Sequence, residues 1–286
     1  ELSNNGAQLL SGNNLSLSAE NLRTKSGQIA GNGDVSLTVK NTLGIQDASI
    51  QSGRDLAIEA DAMPLTGNLS SNRDMRLTFH GSGLSNETAA ENFGNLHAGR
   101  NLTANIQGSV HNQRAMKADG TLSLTADGNL TQSAAGELSA EHLHVKAADV
   151  ENHGLVQAKE ETILHTARLK NDATGGIYGR RINVQAKNGT EEDISAAALY
   201  NSGKIISETD TTIHAASVVN KGTLAAAIAP SGKANDVGTL TVTAKELSNN
   251  GAHILSGNNL SLSAENLRTQ SGQIAGNEDV SLAVKN

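Results

Sequence analysis

Residues 1–41 return at 246–286 with only five changes, Gln8/His253, Leu9/Ile254, Lys25/Gln270, Gly33/Glu278 and Thr38/Ala283. Inside each copy a shorter unit of about twenty residues also recurs. A unit that short cannot bury an apolar face by itself, so it folds only when a neighbour stacks on it. Fold and role both have to be argued from stacking.

Two signatures alternate along the chain. The first is apolar-x-Asn-x-Gly, at Leu2–Gly6, Val150–Gly154, Leu199–Gly203, Val218–Gly222 and Leu247–Gly251. Asn and Gly tolerate turn and left-handed geometry that other residues resist, so each occurrence is expected to mark a corner. The second is Gly, two polar residues, then apolar and polar residues in alternation: GNNLSL at 12–17, GRDLAI at 53–58, GRNLTA at 99–104, GRRINV at 179–184 and GNNLSL at 257–262. A period of two over so few residues predicts a short strand with one face buried. A helix fails on both counts, because the apolar period is not 3.6 and every unit carries interior Gly.

Placed in order, units start near Glu1, Asn21, Thr42, Met63, Leu84, Ser109, Asn129, Ala148, Arg168, Ala198, Ala216, Glu246 and Asn266. About twenty residues with two or three short strands and no helix match one coil of a parallel β-helix. The expected fold is therefore all-β, a parallel β-helix of about 13 coils over a single segment, 1–286. Like residues should stack on like, as in the column Leu15, Val35 and Leu56. With four or five aliphatics buried per coil at about 1.5–3 kcal/mol each, neighbouring coils gain enough to hold together while a lone coil does not. Aromatics are scarce, with two Phe, two Tyr and no Trp, which suits a thin aliphatic interior. Two stretches break the beat and are expected to loop out: Lys187–Ala197 and Ala226–Gly238. A third irregular stretch, Gly81–Asn92, is expected to bulge. Both ends lie inside repeats, and the chain is expected to be a piece of something longer.

The charge balance is acidic, with a net charge of −7, and leaves no basic stripe for phosphates, so nucleic acid is not an expected partner. Zero cysteine removes disulfides and thiolate-bound metal. No apolar run approaches the roughly 20 residues that span a bilayer, and no signal peptide is visible from Glu1 onward, so neither is expected in this sequence.

The alternation of xNxG corners with G-[NR]-[ND]-L-x-L strands resembles the filamentous haemagglutinin repeats of large exoproteins that Gram-negative bacteria secrete by the two-partner route. That group includes adhesins and contact-dependent growth inhibition toxins of the CdiA type, and the resemblance covers essentially the whole chain. It implies a right-handed β-helix, export through an outer-membrane transporter partner, and display at the bacterial outer surface. A receptor or glycan on a host or neighbouring cell is then the implied target. The sequence has no NPNG-type secretion segment, no RGD and no VENN pretoxin motif. Val150-Glu151-Asn152-His153 comes within one residue of VENN but is assigned to the corner motif, because Gly154 follows at the usual spacing.

Candidate chemistry reduces to three constellations. Asp34, Asp55 and Asp74 are expected to stack in consecutive coils with Asn101 next, and Arg54, Arg73 and Arg100 one position before them. Paired carboxylates about 5 Å apart can serve glycosidic cleavage or bind calcium. A self-neutralising Asp/Arg ladder is the simpler expectation, because the guanidinium groups depress the carboxylates and leave no proton donor. His142 and His144 alternate along a strand and can share a side, but a zinc site needs further ligands, with His165 coming from another coil and Glu141 on the opposite face. Glycine-rich stretches such as 31–34 and 175–176 lack the helix and Lys-Ser/Thr pair of a phosphate loop, and no GxSxG or HExxH occurs. The expectation is no enzyme, cofactor or metal. Partner contact is expected at the two loops through Glu191, Glu192, Asp193, Lys233 and Asp236, because insertions on a solenoid often form its binding face. The leading role is a stalk that holds a distal adhesive or toxic portion away from the cell. The alternatives are a receptor- or glycan-binding module built on 187–238 and a polysaccharide-cleaving β-helix.

Overall fold

A computed structural model describes residues 1–86, 94–186 and 197–286. Among these residues every regular element is a strand, 33 in all, and no helix occurs. The strands pair in parallel and wind into about 13 turns of a β-solenoid. The chain forms two compact units, residues 1–141 and 142–286.

The first windings each have three short strands, and in others two of the three run together, as in Leu56–Leu65. The opening winding uses Leu2–Asn5, Gln8–Ser11 and Leu15–Ala19. They pair respectively with Leu22–Lys25, Gln28–Gly31 and Val35–Val39 of the next winding, with Leu2 opposite Leu22, Leu9 opposite Ile29 and Leu15 opposite Val35. Val35 in turn lies opposite Leu56, so the expected Leu15/Val35/Leu56 column exists. Alternate residues point inward, as in Val35–Val39, where Val35, Leu37 and Val39 are buried and Ser36 and Thr38 are not. The interior is aliphatic, with Phe79 as the one buried aromatic among the described residues.

The corners work differently from the sequence expectation. Gly6 and Gly251 do adopt left-handed backbone, at φ 65° and 67°, but Gly203 and Gly222 do not. Their smallness serves close approach instead: a Cβ on either would sit 2.1 Å from a carbonyl oxygen of the winding before it. The motif Asn is not left-handed either. Its side chain turns inward, and Asn152, Asn171, Asn201, Asn220 and Asn249 are all buried. A buried primary amide has to find partners, and the stack supplies them from the windings on either side.

Candidate functional site

The loop at 226–238 is the one predicted insertion whose path is described. Ile228 and Ala234 form an antiparallel bridge, closed by Ala229 N–H donating to the Lys233 carbonyl at 2.9 Å and Gly232 N–H to the Ala229 carbonyl at 2.8 Å. Pro230 presets the second position of that turn, and Gly232 takes φ 79° at its end. The base is tied to the winding before it, because Asn235 Nδ2 donates to the Glu208 carbonyl at 2.9 Å. The result is a short finger whose tip, Pro230 to Ala234, is exposed together with Asp236 and Val237. Beside it runs a shallow groove lined by Asn235, Asp236, Asn258, Asn259, Glu278 and Asp279 together with Ala234 and Gly257, its polar side chains being acids and amides. Lys233 and Asp236 are thus both on the exposed part of one finger. Glu191, Glu192 and Asp193 lie outside the described residues.

The Asp row is a hydrogen-bond ladder. Asn14 Oδ1 accepts from Asp34 N–H at 2.9 Å, Asp34 Oδ1 from Asp55 N–H at 3.3 Å, Asp55 Oδ1 from Asp74 N–H at 3.2 Å, and Asp74 Oδ1 from Asn101 N–H at 3.3 Å. The amide of Asn101 continues the ladder by accepting from Thr121 N–H at 3.0 Å. Each side chain therefore satisfies the backbone of the winding above it. Arg54, Arg73 and Arg100 reach back to Asp34, Asp55 and Asp74. The Arg100 hydrogen bonds hold the Asp74 carboxyl below its ordinary range, outweighing the opposing effect of burial. A glycosidase acid needs the opposite shift, so the geometry favours the ladder over cleavage.

In 142–286 the outer surface carries a second charged cluster. Arg168 pairs with Asp149 and Lys170 with Glu151, each at 2.5 Å. His153 places Nδ1 3.0 Å from Asp172 and Nε2 3.2 Å from Glu151. Glu151 is held low, first by the Lys170 hydrogen bond and then by His153; Asp172 is held low first by the Ala173 N–H. The VENN-like tetrapeptide is thus divided between outside and inside: Glu151 pairs with Lys170 and His153 lies beside Glu151 and Asp172 at the surface, while Asn152 is buried. His142 and His144 flank the inward Leu143, and no group of three His, Asp or Glu among the described residues is placed to hold a metal.

Sequence reasoning missed the interior amide column. Asn152 Nδ2 donates to Asn171 Oδ1 at 2.8 Å, Asn171 to Asn201 at 2.8 Å, Asn201 to Asn220 at 2.9 Å and Asn220 to Asn249 at 2.8 Å. The second amide hydrogen goes to a backbone carbonyl: Lys204 for Asn171, Thr223 for Asn201, His253 for Asn220 and Gln273 for Asn249. The available signal was Asn171, which keeps the apolar-x-Asn spacing of Leu169 although no Gly stands two residues after it.

The haemagglutinin repeat family matches residues 1–47, 24–134, 167–229 and 221–285. The 16S rRNA endonuclease CdiA of Enterobacter cloacae subsp. cloacae is 26% identical over 250 residues, covering 76% of this chain and 7% of that protein. The chain thus spans a small fraction of that relative's length. No solved structure matches it. Matches that tile most of the sequence, on a fold of short stacked parallel strands, place the chain in the haemagglutinin repeat family.

Proposed function

We propose that the chain is a stalk segment of a large secreted filament at the bacterial surface, presenting a distal adhesive or toxin-bearing portion to other cells. The observation that carries this reading is the coil-to-coil register within each unit: among the described residues the strands of one winding are bonded to those of the next, so load along the stack is shared by many parallel hydrogen bonds. Many outward side chains pair with one another across windings, as the Asp/Arg ladder does. Such a surface transmits position without needing a site.

The finger at 226–238 supports a second reading, a binding module for a receptor or glycan, because it displays Lys233, Asp236 and the exposed Val237 on a tied base. Two in-frame deletions in the full-length parent protein separate the readings. Removing residues 22–42 takes out one winding and brings Leu43 into the register Leu22 held against Leu2; removing 227–237 takes out the finger. A stalk tolerates both, with attachment to target cells unchanged. Attachment lost on removal of the finger alone replaces the stalk reading with the binding module.

A further inference from the structure

A parallel stack has one error that apolar alternation does not detect. A slip of one residue turns the apolar side outward and is rejected. A slip of two keeps every inward residue inward and only shortens the ladder ends. Windings of 19 or 20 residues, as between Asn152 and Asn171 or Asn4 and Thr24, have no spare chain for it. Longer windings do.

Three steps among the described strands are long. Asn86 stands opposite Asn112, 26 residues on; Asn171 meets Asn201, 30 residues on, and Asn220 meets Asn249, 29 residues on. The 30- and 29-residue steps each join a buried Asn to a buried Asn. The short steps do not share this restriction: Asn4 meets Thr24, Thr24 meets Ile45, Ile45 meets Leu65 and Asn112 meets Gln132. Two short steps, Asn152 to Asn171 and Asn201 to Asn220, are also amide pairs and extend the column.

We propose that the buried amide pairs are register locks, required where an insertion gives a winding slack. They allow the solenoid to carry surface loops without the strands re-pairing two residues out. At the 29-residue step, native register sets Val218 against Leu247 and Val219 against Ser248. A two-residue slip would set Asn220 against Leu247 or Gly251 and leave its amide without an amide partner in a dry interior. An unmade hydrogen bond on a buried polar group costs far more than the net gain from making one, so the slipped state is selected against. Single buried Asn residues fix register in coiled coils by the same asymmetry.

The chain has no cysteine, so engineered cross-links report register directly. Val219→Cys with Ser248→Cys reads the native pairing; Val219→Cys with Glu246→Cys or Asn250→Cys reads the slipped ones. With the Asn pair intact only the native cross-link should form. After Asn220→Leu and Asn249→Leu, slipped cross-links should appear in the full chain. They should stay absent when 227–237 are also deleted, since deletion removes the slack. Native cross-links only, in the Leu variants of the full chain, would overturn the proposal. So would slipped cross-links of equal yield with and without the loop. Asn201→Leu with Asn220→Leu, at a 19-residue step, is the control for mere loss of stability and should melt earlier without slipping across that step. If the Leu pair fails to fold, Asn249→Thr keeps a hydroxyl partner of the kind Thr24 gives Asn4, and should give a partial slipped yield that the loop deletion abolishes. A yield that the deletion does not change would equally overturn the lock.

Discussion

Residues 1–41 and 246–286 are almost the same sequence and have opposite interiors. In the first copy the second winding is buried: Leu22 and Ile29 are fully enclosed, and Leu37 is 1% exposed. At the matching positions of the second copy Leu267 and Ile274 are only half-buried and Leu282 is 52% exposed, and Val280 and Val284, the counterparts of buried Val35 and Val39, are 47% and 39% exposed. The first windings show the reverse. Leu9, Leu15 and Leu17 are half-buried, whereas Ile254, Leu260 and Leu262 are enclosed. Backbone conformation does not follow this split. Gln8–Ser11 and His253–Ser256 are both strands, as are Val35–Val39 and Val280–Val284, and Ser26 and Ser271 share left-handed backbone at φ 50° and 54°. Sequence sets the strand and the corner; a winding on each side sets the burial. That is the nearest-neighbour behaviour expected of a solenoid.

The largest effects should come from one substitution made in both copies. Leu37→Ala is expected to cost about 2–5 kcal/mol, the usual range for an enclosed Leu, while Leu282→Ala costs less than about 1. For the opening windings the order inverts, so that Leu262→Ala costs more than Leu17→Ala. Urea unfolding combined with hydrogen exchange at the altered strand measures each loss locally. Equal losses within either pair would break the rule that neighbours, not letters, decide the core.

Amide substitutions should come next in size. Asn249 accepts from Asn220 at 2.8 Å and donates to the Ala252 and Gln273 carbonyls at 3.2 and 3.0 Å. Its counterpart Asn4 donates to Thr24 at 3.2 Å and, at longer range, to the Gln28 carbonyl, and its Oδ1 is buried without an acceptor's partner. Asn249→Ala is therefore expected to lose about 2–3 kcal/mol and Asn4→Ala about 1. A thermal melt that ranks Asn4→Ala as the more harmful would show that the column contributes nothing beyond single hydrogen bonds.

The alternation of GNNLSL-type segments made strand, stacking and thin core legible, because period-two burial and a repeat of about twenty residues leave few other folds. The Asp/Arg ladder was legible for the same reason: equal spacing means equal height. The Asn column was not. In the sequence, Asn152 and Asn220 stand two residues before a Gly, and their Oδ1 atoms do accept from Gly154 and Gly222 as a turn residue would. The turn explanation was locally sufficient and hid the other half of the amide, whose hydrogens point along the stack. A residue that serves two neighbours on different windings shows only the nearer one in a linear reading.

Acid should act on the ladder rather than on either copy's core. Asp74 is held below its ordinary value by Arg100, so its contribution to stability is present above the unfolded-state value and is lost as pH falls through the lower, folded one. Arg100→Gln should raise the Asp74 carboxyl and move the onset of acid loosening in that winding to higher pH, read by NMR titration of Asp74. The shift should be small in stability, because both groups remain substantially exposed.

The smallest effect is the one natural change between the copies that looks severe. Gly33 in the first copy is Glu278 in the second, yet a Cβ at Gly33 would lie 2.1 Å from Asn14 Oδ1, the atom that accepts from Asp34 N–H. The closest contact is with the end of a side chain, which Asn14 can move, and the nearest backbone atoms, of Asn13 and Asn14, stand off at 3.1 Å. The second copy shows the accommodated form: Asn259 Oδ1 still accepts from Asp279 N–H beside Glu278, at 3.2 Å in place of 2.9 Å. Gly33→Glu is accordingly expected to change stability by no more than about 0.5 kcal/mol, as a surface substitution does. A loss above about 2 kcal/mol would mean that winding 22–41, enclosed on both sides, cannot make the adjustment its open counterpart makes, and would extend the influence of neighbours from burial to corner geometry.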